Sequence, residues 1–139
     1  MTSLAVPGCR LIDFPLRGDD RGSLVAYEAA TGLPFAIARA YTVFSTTAGT
    51  RRGFHAHRSL NQMAVAVAGA CSMLIDDGAA RCELRLDRPD RALTIPPMVW
   101  HEMFDFTPDC VLLVLADAAY SEVDYIRRYE DFLAARPAA

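Results

Sequence analysis

Apolar residues in this chain recur in short runs of four to eleven positions, separated by turn-forming residues and rich in branched and aromatic side chains. That spacing predicts strands over Leu24–Tyr27, Phe35–Ser45, Gly53–His57, Gln62–Ala68, Ala70–Ile75, Ala80–Leu86, Ala92–Ile95, Trp100–Phe106 and Cys110–Ala116, an all-β sandwich or barrel. Asp76-Asp77-Gly78 falls between two of the runs, and Asp-Gly supplies the positive φ of a tight hairpin, so it reads as a turn rather than a calcium loop. After Ser121 the period changes. Val123, Ile126, Tyr129, Phe132 and Leu133 fall on one helical face, with Ser121 as N-cap and Pro137 as terminator. One amphipathic C-terminal helix is expected from this, packed on the barrel or on a partner subunit.

Length and composition narrow the function classes. At 139 residues the chain is expected to form one domain, residues 1–139, with no room for a separate cofactor domain. A net charge of −3 argues against a general nucleic-acid binder, which needs a basic field. The longest apolar stretch, about residues 63–75, is broken by Gly69 and Ser72 and is too short for a membrane span. The N-terminus has neither a basic start nor a long apolar segment, so a cytoplasmic location is expected. Cys9, Cys71, Cys82 and Cys110 lack CxxC spacing and read as reduced structural thiols.

The chemistry concentrates in Arg51-Arg52-Gly53-Phe54-His55-Ala56-His57, which holds two of the three histidines. Residues two apart on a strand share a face, so His55 and His57 are expected to enter one cavity, an arrangement suited to metal ligation or proton transfer. Gly49, His55-x-His57, Gln62 and Gly69, followed by Pro96-x-Met98-x-x-His101 and Asp105, resemble the two-part signature of the cupin superfamily, small jelly-roll β-barrels. That resemblance implies an all-β cupin/jelly-roll barrel carrying the C-terminal α-helix. In the superfamily's common pattern two histidines, a glutamate and a later histidine bind a divalent metal. Here Gln62 replaces the glutamate, Met98 a glycine and Asp105 an asparagine, and no metal is expected.

Further strings resemble the nucleotide-sugar 3,4-ketoisomerases acting on a dTDP-linked 4-keto-6-deoxy hexose. They are Asp20-Arg21-Gly22-Ser23-Leu24-Val25, Leu33-Pro34-Phe35, the Arg51–His57 segment, Pro97-Met98-Val99-Trp100-His101-Glu102-Met103, Asp105-Phe106, Asp109-Cys110-Val111-Leu112 and Asp124-Tyr125-Ile126-Arg127. Thr42 departs from the family, whose members tend to carry a second tyrosine beside the match to Tyr41. The resemblance implies a cofactor-free transfer of protons that moves a ketone from C4 to C3 through an enediol. Imidazole suits that task because its unperturbed pKa of about 6.5 lets it take and return a proton near neutrality.

His55 is the candidate carbon base, His57 the relay or second donor, and His101 the third histidine of the signature. Arg52 is assigned to the diphosphate or the developing enediolate, Arg21 and Tyr41 to further substrate contacts, and Gln62 to orienting an imidazole. Trp100, facing away from His101 by strand alternation, is expected at a dimer interface, and a homodimer is expected because small antiparallel barrels leave strand edges to be covered. Arg21 and His101 resemble the branch of the family that forms the galacto-configured product, the gluco branch tending to carry tyrosine and arginine there. Two other classes compete: a metal-dependent cupin enzyme using His55, His57, Gln62 and His101, and a non-catalytic sugar-binding barrel.

Overall fold

A computed structural model describes residues 2–137. Thirteen strands run in the order β1 (Thr2–Ser3), β2 (Arg10–Asp13), β3 (Leu16–Asp19), β4 (Gly22–Val25), β5 (Arg39–Phe44), β6 (Arg52–His57), β7 (Gln62–Ala68), β8 (Cys71–Asp76), β9 (Arg81–Leu86), β10 (Arg91–Ile95), β11 (Trp100–Phe104), β12 (Val111–Ala116) and β13 (Tyr125–Ile126), followed by helix α1 (Tyr129–Ala135). A six-stranded sheet, β1-β2-β10-β7-β12-β5, packs on a five-stranded one, β13-β6-β11-β8-β9, in a jelly-roll-like arrangement.

Between the sheets lies the main core. Alternation sends Ala64, Ala66, Leu112, Val114 and Val43 inward from the first sheet and Met73, Ile75 and Met103 inward from the second. The outer faces are also covered. Met63, Val65 and Leu115 pack beneath Phe14, Leu33 and Phe35, while Ala56 and Trp100 pack beneath Ile126 and Phe132. With both faces buried, β7 reads as a continuous apolar run from Met63 to Ala66 rather than an alternating one.

The tail corrects the expected single helix. Glu122–Asp124 form a 3₁₀ turn, Tyr125–Ile126 pair with His57 and Ala56 as β13, and only Tyr129–Ala135 are α-helical. Main-chain pairing to β6 wins over helical periodicity because it also seats Ile126 on the outer face of that strand. Val123, expected on the apolar face, is 85% exposed, and the Ser121 side chain makes no capping bond. The short α1 is held by a buried Phe132 and by the Tyr129 hydroxyl, which donates to Asp76 Oδ2 at 2.7 Å. Trp100, expected at a dimer interface, is covered by this helix within its own chain.

The turn at Asp77 is as expected, with Asp77 N–H donating to the Ala80 carbonyl. All four cysteines are free; burial raises Cys9 and Cys71 to about 12, which keeps them unreactive thiols. Strands β3 and β4 form a separate hairpin that is hydrogen-bonded into neither main sheet, although Val25 at its end packs on the cluster around Met63 and Val65. It leaves Leu16 and Leu24 more than half exposed. Its first strand went unpredicted because Gly18 and Asp19 carry no strand signal.

Candidate active site

The three histidines meet between the sheets. His55 and His57 project inward from β6, and His101 of β11 lies in register opposite His55. One ring nitrogen from each lies within 4.8 Å of the other two. In each ring Nδ1 faces an oxygen: the Gly53 carbonyl at 3.0 Å for His55, Asp124 Oδ2 at 3.2 Å for His57 and the Val99 carbonyl at 3.1 Å for His101. Carbonyls and carboxylates only accept, so Nδ1 carries the proton in all three, and each Nε2 presents a lone pair. The Nε2 atoms of His55 and His57 are buried without a protein partner.

Burial disfavours the imidazolium, and neighbouring rings add to the effect. His57 falls to about 4, chiefly through burial and then the nearby His55, although Asp124 pulls the other way. His101 falls to about 3 for the same first two reasons, and His55 is lowered by burial despite its bond to the Gly53 carbonyl. The site at neutral pH is therefore a cluster of three uncharged bases.

Strict alternation from His55 would turn Arg52 away from the cavity. A β-bulge prevents this. His101 pairs with His55 but Glu102 pairs with Gly53, leaving Phe54 as the extra residue, with Gly53 at φ +91° and Phe54 at φ +56°. The inserted residue shifts the phase of the strand, and Arg52 joins His55 in lining a cavity of about 330 Å³ with Arg39, Tyr41, Tyr125 and Arg127. A Cβ on Gly53 would come within 2.8 Å of the His101 carbonyl oxygen, so the close approach of β6 to β11 depends on glycine.

Around this cavity the cations differ in how they are held. Arg127 is bound to Glu122 through two contacts of 2.7 Å and lies 4.2 Å over the Tyr125 ring. Arg39 stacks 4.6 Å over Tyr41. Neither Arg39 nor Arg52 makes an ion pair among the described residues, and Arg52 also stacks on no ring there. Arg51, by contrast, is tied to Glu102 at 2.8 Å and covers Phe104.

One assignment is corrected by the geometry, and one finds no place in the site of a single chain. Gln62 does not orient an imidazole: its Nε2 donates to the Tyr41 hydroxyl at 3.0 Å, leaving the Tyr41 proton free to be donated into the site. Burial raises the Tyr41 pKa, which keeps that proton in place. Arg21 does not join the histidines within one chain. It sits at the β3–β4 turn, 86% exposed, paired with Asp19. Arg39, Tyr125, Arg127 and Asp124 were missed as site residues. Arg39-x-Tyr41 carried the period-2 signal that could have found the first, and the others lay in a segment read as helix.

The signature position occupied by Met98 has φ +61°, and Asp105 has φ +54°. Both lie in the left-handed region, which explains why glycine and asparagine are common there.

The cupin signature raises the question of a metal. The histidine nitrogens converge, but the set is neutral, and the residue in the carboxylate position, Gln62, commits its amide nitrogen to Tyr41. A hard divalent cation prefers anionic oxygen ligands and fits this set poorly, whereas three converging imidazoles are a donor set of the kind zinc takes.

Comparison with known proteins places the chain in a family. A family model described as "FdtA: WxcM-like, C-terminal" matches residues 7–137. The TDP-4-oxo-6-deoxy-alpha-D-glucose-3,4-oxoisomerase of Aneurinibacillus thermoaerophilus is 47% identical over 123 residues, 88% of each chain. A mutant of the 3,4-ketoisomerase QdtA from Thermoanaerobacterium thermosaccharolyticum, solved with TDP-4-keto-6-deoxyglucose, superposes with a TM-score of 0.90 at 35% identity, covering 93% of this chain and 94% of that one. The TDP-fucose-3,4-ketoisomerase WlaRA from Campylobacter jejuni gives a TM-score of 0.88 at 28% identity, covering 94% and 96%. With a family model spanning nearly all of the described residues, a half-identical relative and the histidine cluster in place, the chain belongs to the FdtA family of WxcM-like C-terminal domains.

Proposed function

We propose that this protein is a TDP-sugar 3,4-ketoisomerase that converts TDP-4-keto-6-deoxyglucose to a 3-keto-6-deoxy hexose by acid–base tautomerisation. The observation that carries the reading is the cluster of three neutral imidazoles, in which the Nε2 lone pairs of His55 and His57 are buried without protein partners, with Arg52 lining the cavity beside His55. Its relatives' activities are those their names state, and the chemistry here fits them.

The proton balance closes without an outside acid. His55 takes the C3 proton and returns it to O4, which gives the enediol. His57 takes the O3 proton and relays it within the cluster, and His101 delivers it to C4. Two protons leave and two arrive, so neutral rings suffice at the start. Tyr41, its hydroxyl oxygen accepting from Gln62, donates to whichever oxygen carries developing charge. Arg52, with Arg39 at the rim, meets the diphosphate, whose planar charge-paired contacts suit guanidinium.

The product assigned is the galacto-configured 3-keto sugar, with an axial C4 hydroxyl. The planar C4 of the enediol takes the configuration of the face from which the proton comes, and the assignment rests on His101 as donor together with Arg21. In a single chain Arg21 is remote from the cavity, so its contribution requires a second copy. The protruding β3–β4 hairpin, with Leu16 and Leu24 exposed, is the segment that a homodimer would cover.

Incubating the protein with TDP-4-keto-6-deoxyglucose and following the sugar carbons by NMR tests the activity. Movement of the carbonyl signal from C4 to C3 is expected, and an unchanged sugar refutes it. Trapping the product with a 3-aminotransferase then reads C4. A small H3–H4 coupling is expected, whereas a large diaxial coupling means the gluco product.

A further inference from the structure

Asp124 plays no part in the proton transfers described above, yet it is among the most tightly held side chains near the site. Its two oxygens face different partners. Oδ1 accepts from the Ser59 backbone N–H at 2.8 Å and from the Ser59 hydroxyl at 2.7 Å, while Oδ2 faces Nδ1 of His57 at 3.2 Å. The backbone is fixed as well: the Asp124 carbonyl accepts from Arg58 N–H, and the next two residues pair with His57 and Ala56 as β13. Burial pushes the carboxyl pKa up, but the donors from Ser59 and the nearby His57 outweigh it, and the net shift is downward.

We propose that Asp124, clamped by Ser59, is a positioning residue that holds His57 in the tautomer with its proton on Nδ1, so that the buried, unpartnered Nε2 keeps its lone pair as a base. The proposal rests on the isomerase reading for what His57 does with that lone pair. The tautomer itself is independent of it.

Ser59 makes the proposal unusually specific. Its two donors claim one oxygen, so Asp124→Asn would keep its remaining oxygen on Ser59 and turn the amide NH₂ toward His57. An NH₂ group only donates. The ring must then accept at Nδ1 and carry its proton on Nε2, and the base is lost with the side-chain shape nearly unchanged. In the serine-protease triad the corresponding exchange inverts the tautomer and lowers kcat about 10⁴-fold with the geometry intact.

The test is ring-nitrogen NMR of histidine-labelled protein, with signals assigned through His55→Asn and His101→Gln, alongside kinetics. In the wild type, His57 is expected with its proton on Nδ1. Asp124→Asn is expected to move it to Nε2, to lower kcat by about 10²–10⁴, the span of general acid–base catalysis, and to leave KM little changed. A wild-type His57 protonated on Nε2 overturns the proposal, and that measurement decides even where the Asn variant does not fold. An Asn variant that keeps the Nδ1 proton, or that inverts the tautomer with kcat within about tenfold of wild type, also overturns it. A wild type with the expected tautomer but no turnover of the keto sugar supports the positioning of His57 and overturns the isomerase reading instead.

Discussion

His55 and His101 stand directly opposite one another across the β6–β11 pair, with ring centroids 4.5 Å apart and planes at 74°. Two buried imidazoles that close are not both charged at once: charging one raises the cost of charging the other. On the isomerase reading the pair is a single device that takes up one extra proton. This suits a reaction that moves protons between adjacent carbons and oxygens and ends in its starting protonation state.

Replacing the proposed carbon base is the direct test of that device. His55→Asn is expected to lower isomerisation by at least the about 10²–10⁴ that a general base contributes, with nucleotide binding retained. In D₂O the wild type is expected to place deuterium at C4 of the product. A His55→Asn rate within about tenfold of wild type moves the base to His57 or His101.

Acid should weaken the fold in a defined window. His57 and His101 titrate near 4 and 3 in the native protein and near 6.5 when unfolded, so the unfolded chain binds more protons between those values. Stability conferred by the neutral rings is therefore fully present above about pH 6.5 and is lost as pH falls toward 4. Carboxylates with lowered native values, such as Asp76 and Asp124, add their own loss below that window. Urea midpoints measured across this range in the wild type and in His57→Gln check the sign. A wild-type midpoint that does not fall between pH 6.5 and 4.5 contradicts it.

Metal removal should leave turnover unchanged. The neutral donor set, with the Gln62 amide nitrogen held by Tyr41, motivates the expectation. Exhaustive chelation, metal analysis and assay form the test. Turnover that disappears on chelation and returns with one equivalent of a divalent ion promotes the metal-enzyme reading.

Two inactive chains should rescue each other if the hairpin serves a second copy. Arg21→Ala would lack the hairpin cation and His55→Asn the base. In a mixed dimer one cavity would receive Arg21 from one chain and His55 from the other. Co-expression is expected to give activity that neither variant shows alone. A stable monomer in sedimentation, or no rescue in purified mixed dimers, counts against the exchange.

Most of the strand framework was legible in the sequence, because each run of apolar residues ended at a turn residue and the inward set alternated. The HxH pair was legible from the same alternation, and His101 from its place in the barrel signature. What escaped was conformation that breaks a period. The bulge at Phe54 reverses the phase of Arg52 without any marker beyond Gly53, and the two-residue strand β13 interrupts a helical pattern because pairing to β6 is a tertiary reward. Asp124 was hidden by that misreading: on a helix it is a surface acid, on the turn before β13 it faces His57. Gln62 was seen as a site residue, but its partner Tyr41 lies on β5, and that pairing is fixed by sheet order rather than by local sequence.

The protein contains one tryptophan, and it is the residue next to His101. Because β11 alternates, the imidazole faces inward to the other two histidines while the indole faces backward, its Nε1 donating to Glu102 and its ring against Tyr129 and Phe132 of α1. Strand β11 thus carries its own optical probe on the side opposite the histidines. Its emission originates from a single buried environment roofed by α1, and an event that lifts the helix or shifts β11 is expected to change its colour without an added label.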